Sequence, residues 1–76
     1  MVLGEKPVRL AQVGYGYWGP NLARNFAQLP GAELTYMVDA SAEARSTAQR
    51  LYGCQAVATL EEALADPLVD AVVLAT

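Results

Sequence analysis

The sequence predicts an α/β fold: a parallel sheet of strand order 3-2-1-4 with helices on both faces. Three observations predict it. Apolar runs of strand length alternate with stretches of helical spacing in the order β-α-β-α-β-α-β. Glycines in the pattern G-x-G-x-x-G, at Gly14, Gly16 and Gly19, join the first apolar run to the first helical stretch. An acid, Asp39, closes the second apolar run, 20 positions after Gly19. Parallel strands joined by right-handed helical crossovers then give the strand order.

The elements follow one another with local signals. Met1 to Pro7 is a loose lead-in, with Glu5 and Lys6 ahead of Pro7. Val8-Arg9-Leu10-Ala11-Gln12-Val13 is mostly apolar and reads as a strand buried in a parallel sheet. After the glycines, Pro20 suits the first turn of a helix, where its missing N–H is not needed. Leu22, Phe26 and Leu29 recur at helical spacing, with Ala23 and Ala27 beside them, and Pro30-Gly31 stops the helix. Glu33 to Val38 is the second strand and delivers Asp39 to its C-terminal end. Ser41 is the expected N-cap of a second helix through Leu51 or Tyr52, and Gly53 its stop. A short third strand, Gln55-Ala56-Val57, leads to Thr59-Leu60-Glu61-Glu62, which fits a capping box opening a short helix that ends at Asp66-Pro67. Ala71-Val72-Val73-Leu74-Ala75 is a wholly apolar fourth strand, expected in the middle of a sheet. The other strands supply it with one neighbour only. Residues 1–76 are therefore expected to be the N-terminal part of a larger domain, with no substrate domain among them.

The glycine turn, set between strand and helix, carries the chemistry. Gly14 allows a sharp exit from the strand, Gly16 allows the backbone to approach a pyrophosphate, and Gly19 allows close packing of the helix. The helix N-terminus offers unpaired N–H groups and a positive dipole end to phosphates. Asp39 would accept hydrogen bonds from the adenosine ribose hydroxyls. A phosphate on that ribose would meet its carboxylate, so NAD is favoured over NADP. The plainer alternative is a glycine-rich strand-to-helix turn that binds nothing. The order of strand, glycines, helix, strand and acid favours a partial Rossmann fold that binds a dinucleotide.

Composition narrows the rest. The chain has 76 residues, 54% of them hydrophobic, and a net charge of −3 with no basic block. A disordered tail and a nucleic-acid or anionic-membrane surface do not fit those values. Cys54 is the single cysteine, so an internal disulfide is excluded, and it reads as a small buried hydrophobe. Without histidine, these residues hold no Ser-His or Cys-His pair and no histidine-ligated metal. No signal-peptide core or membrane-length apolar run is evident, and a cytoplasmic product is expected.

At Gly14-Tyr15-Gly16-Tyr17-Trp18-Gly19-Pro20-Asn21-Leu22, Val38-Asp39, Thr59 to Glu62 and Ala71 to Thr76, the chain closely resembles the Gfo/Idh/MocA oxidoreductase family. The resemblance spans Val8 to Thr76 and implies the nucleotide-binding half of a sugar or cyclitol dehydrogenase. Trp18-Gly19 and Asn21 look most like members that act on nucleotide-linked amino sugars. By resemblance, the backbone of Gly14, Tyr15, Gly16, Tyr17 and Trp18 would hold the pyrophosphate and Asp39 the ribose. Ala75 and Thr76 would approach the nicotinamide side. Trp18 could equally be a residue packed over the helix start, and Asp39 a solvated or capping carboxylate.

The family's catalytic lysine lies in a Glu-Lys-Pro motif after a later strand than any here, and its catalytic histidine falls beyond Thr76. Glu5-Lys6-Pro7 precedes the first strand, whereas ligands bind at the carboxyl ends of such strands, so Lys6 is not assigned that role. No catalytic residue is assigned. The expected partners are a dinucleotide and, together with a further part of the protein, a sugar; a homo-oligomer is expected of the full-length enzyme. A non-catalytic nucleotide-binding or sensing module is the main alternative. An S-adenosylmethionine-dependent methyltransferase fits less well, because of the Gly19 spacing and the Pro20-Asn21 helix start.

Overall fold

The structure, a computed structural model, describes residues 7–75. Seven elements alternate: β1 (Val8–Val13), α1 (Gly19–Gln28), β2 (Ala32–Val38), α2 (Ala42–Tyr52), β3 (Gln55–Val57), α3 (Leu60–Leu64) and β4 (Ala71–Leu74). The four strands form one sheet in the order β3-β2-β1-β4, and every pairing is parallel. The α/β class and the strand order are those the sequence predicts.

Local signals set the helix boundaries. Ser41 caps α2 by accepting from the Ala44 N–H at 3.2 Å, and Gly53 ends it at φ 66°, a left-handed conformation that favours glycine. Thr59 and Glu62 form the reciprocal capping box of α3. Glu62 accepts from the Thr59 and Ala58 N–H groups, each at 2.9 Å, which holds its carboxyl below the usual range. The α1 helix differs: Trp18 stands at its N-cap with no side-chain hydrogen bond, and its first turn carries no acid.

Two hydrophobic clusters sandwich the sheet. On one face Ala23 of α1 and Ala48 of α2 pack with Leu34, Met37 and Cys54; on the other Ala63 of α3 packs with Ala11, Tyr36 and Val38. All three helices thus meet the sheet through an alanine that is 0% exposed, which lets backbone approach backbone. The inward face of α1 is accordingly carried by Ala23, while Leu29, expected on that face, lies past the helix end and is 53% exposed.

A further departure lies in β2. Leu10 pairs with Leu34, but Ala11 pairs with Tyr36, so Thr35 is an extra residue, a bulge. It places Leu34 and Met37, three positions apart, in the same cluster. At the sheet end, β4 pairs only with β1, and Val72 and Leu74 stay exposed. The strand expected at the centre of a sheet is an edge among the described residues. No helix among them is long and apolar enough to cross a membrane.

Candidate cofactor site

The site lies where β1, β2 and β3 end. Gly14 leaves β1 at φ 102° and donates its N–H to the Val38 carbonyl at 2.8 Å, tying the turn to the end of β2. Gly19 opens α1 against this turn. A Cβ on Gly19 would stand 2.6 Å from the Gly14 carbonyl oxygen, a backbone clash that only glycine avoids. Gly16 is different. A Cβ there would meet nothing among the described residues within 4 Å, so their packing does not require glycine at the tip.

The three aromatic residues of the turn divide. Tyr15 turns its ring inward, edge-on to Tyr52 with ring centres 6.1 Å apart and hydroxyls 3.2 Å apart. Burial, and then the hydroxyl pairing with Tyr52, push its pKa up to about 12. Tyr15 therefore presents its backbone, not its phenol, to the site. Tyr17 and Trp18 project outward, 84% and 63% exposed, and meet edge-on at 4.8 Å.

Asp39 is bound into the turn. Its Oδ2 accepts from the Tyr15 N–H at 2.9 Å and its Oδ1 from the Ser41 N–H at 2.8 Å. Its own N–H donates to the Val57 carbonyl, and Arg45 donates to its carbonyl oxygen. A carboxylate accepts about four hydrogen bonds, so about two places remain for the hydroxyls of a diol. Asp39 lines a cleft of about 310 Å³ with Val13, Gly14, Val38, Ala40, Ala58 and Leu60. A larger hollow of about 530 Å³, lined by Pro7, Val8, Arg9, Pro67, Leu68 and Asp70, lies at the opposite end of the strands. It has neither the glycine turn nor a helix N-terminus, so the smaller cleft is the candidate site.

The remaining predicted residues are placed as follows. Ala75 donates its N–H to the Val13 carbonyl at 2.8 Å, which puts it beside the start of the glycine turn. Thr76, Glu5 and Lys6 lie outside the described residues. One residue that sequence reasoning passed over is Gln12, which is 0% exposed and next to last in β1. Its Nε2 donates to the carbonyls of Gly14 and Gly19, both at 2.9 Å. A polar residue in an apolar strand, two positions before the first glycine, was the available signal.

An uncapped helix start, a turn tip with free space above it and a carboxylate with spare acceptor places are the features a dinucleotide needs. Residues 8–76 match the oxidoreductase family with an NAD-binding Rossmann fold, Gfo/Idh/MocA. The chain belongs to this family. Inositol 2-dehydrogenase 2 of Mycolicibacterium vanbaalenii is 41% identical over 71 residues, covering 91% of this chain and 21% of that protein. Among solved structures, GenD2 from gentamicin A biosynthesis, in complex with NAD, superposes with a TM-score of 0.88 at 32% identity, over 95% of this chain and 21% of GenD2. The WlbA dehydrogenase from Bordetella pertussis, in complex with NADH and UDP-GlcNAcA, gives 0.84 at 33%, over 93% of this chain and 22% of WlbA. The chain thus spans about a fifth of the length of these Gfo/Idh/MocA relatives.

Proposed function

We propose that this chain is the N-terminal, NAD-binding part of a dehydrogenase that moves hydride between a carbinol carbon of a sugar or cyclitol and nicotinamide. The observation that carries the reading is the Asp39 carboxylate, fastened to the Tyr15 N–H beside an uncapped helix start. In that role the backbone from Gly14 to Trp18 holds the pyrophosphate at the α1 N-terminus. Asp39 accepts from the adenosine ribose hydroxyls, and Ala75 and Thr76 border the nicotinamide side. When bound, the cofactor supplies the hydride acceptor; these residues bind and orient it.

Asp39 also supports NAD over NADP, because a ribose phosphate would set its charge against the carboxylate. Exposed Val72 and Leu74 on β4, together with the length of the relatives, support a larger domain and a separate substrate-binding part. A nucleotide-linked sugar as substrate is supported by the motif around Trp18 and by the UDP-GlcNAcA bound in WlbA.

Trp18 is the sole tryptophan and stands at the helix start, so its fluorescence reports on the site. Titration with NAD, NADP and S-adenosylmethionine is expected to show NAD as the tightest ligand. Tighter NADP would contradict the role given to Asp39, and a response to S-adenosylmethionine alone would contradict the dehydrogenase reading.

A further inference from the structure

Gln12 combines three properties seldom found together. It is 0% exposed, its amide nitrogen serves two carbonyls of the glycine turn, and its Oε1 has no hydrogen-bond partner among the described residues. Its orientation is fixed: turning the amide over would set Oε1 against two carbonyl oxygens. The fold thus keeps an unsatisfied buried acceptor beside the two hydrogen bonds that the amide nitrogen makes.

The Gly14 carbonyl belongs to the peptide plane that also carries the Tyr15 N–H. In a trans peptide these two groups point in opposite directions. Gln12 holds the carbonyl end of this plane at 2.9 Å, and Asp39 Oδ2 holds the N–H end at 2.9 Å. One peptide is gripped from both sides, from inside the sheet by Gln12 and from the cleft by Asp39. The second bond, to the Gly19 carbonyl, ties the same amide to the start of α1.

We propose that Gln12 is a positioning residue for cofactor specificity, setting the Asp39 carboxylate through the Gly14–Tyr15 peptide. The inference rests on the reading of this turn as a dinucleotide site. Gln12 does not touch the cofactor. Without its amide the peptide plane is free to rock, the Tyr15 N–H loses its aim, and the carboxylate loses one of its two fixed anchors.

The test is Gln12→Met, close in shape and apolar, with Gln12→Val as a second variant. Each is assayed for melting temperature and for NAD and NADP affinity by calorimetry. The expected result is a lower melting temperature, because two hydrogen bonds of the turn are lost, with NAD bound about tenfold more weakly and a smaller preference over NADP. A merely structural residue would weaken NAD and NADP alike and leave the preference unchanged. The proposal is overturned by NAD affinity within about twofold of the parent in a folded variant, by equal losses of NAD and NADP affinity, or by failure of both variants to fold. A parent chain that binds neither dinucleotide would refute the cofactor reading instead. The clamp is then decided by hydrogen exchange of the Tyr15 amide, which Gln12→Met should speed and which, if unchanged, overturns it.

Discussion

Gly19→Ala is the substitution whose effect the structure fixes most closely. The added Cβ would stand 2.6 Å from the Gly14 oxygen, 3.2 Å from the Gly14 carbonyl carbon and 3.3 Å from Gln12 Nε2. Ordinary contact begins at about 3.4 Å, so helix and turn must separate by about 0.8 Å. The two nearest atoms are backbone and cannot swing aside. Overpacking of this kind costs about 1–3 kcal/mol. Stretching the Gln12 bond to the Gly19 carbonyl removes about 1 kcal/mol more. Alanine in a helix returns about 0.5–1 kcal/mol relative to glycine. The net loss is about 1–3 kcal/mol, and in a chain this small 1 kcal/mol moves the melting temperature by about 4–8 °C. Thermal unfolding followed by circular dichroism should therefore show a drop of at least about 4 °C. Gly16→Ala is the control: its Cβ meets nothing, so melting should stay near the parent value while NAD affinity falls, because only the ligand needs that space. A Gly19→Ala chain that melts at or above the parent temperature would refute the close-approach argument.

Other substitutions separate the remaining roles. Asp39→Ala should weaken NAD at least tenfold, the loss of about one charged hydrogen bond, and narrow or reverse the preference over NADP in competitive titrations. Tyr15→Phe removes the hydroxyl pairing with Tyr52 and should lower stability by about 0.5–1.5 kcal/mol. It should leave NAD affinity unchanged, since only the Tyr15 backbone faces the site. In a spectrophotometric phenol titration, Tyr15 should ionise near pH 12, and its variant should lack that step. The Glu62 carboxyl is held low by the Thr59 and Ala58 N–H groups, so its stabilising effect is present above the ordinary glutamate range and lost as pH falls through its depressed value. Melting of Glu62→Gln should accordingly depend less on acid pH than melting of the parent.

The parts of the fold legible from sequence were those encoded by neighbours. Ser41 with Gly53, and Thr59 with Glu62, mark helix ends because a cap involves residues within one turn of each other. The strand order follows from alternating strands and helices. The Thr35 bulge was hidden, since its residue is an ordinary strand former and its effect is a shift against β1, far away in sequence. Leu29 misled because spacing alone does not reveal that α1 lies against the sheet through Ala23. Within the site, Gly14, Gly16, Gly19 and Asp39 were visible as a spaced pattern. The internal hydrogen bonds were not: a sequence cannot show that the Asp39 carboxylate is already engaged by Tyr15 and Ser41, that the Tyr15 phenol turns inward, or that Gln12 lies beneath the turn.

The most direct test of the account is to map NAD onto the backbone amides of the chain by heteronuclear NMR. Binding at the glycine turn should shift the resonances of Gly14, Tyr15, Gly16, Gly19, Asp39 and Ala75 and leave Arg9, Leu68 and Asp70, at the opposite end of the strands, where they are. Shifts confined to Arg9, Leu68 and Asp70, or no shift at saturating NAD, would contradict the assignment of this turn as the cofactor site.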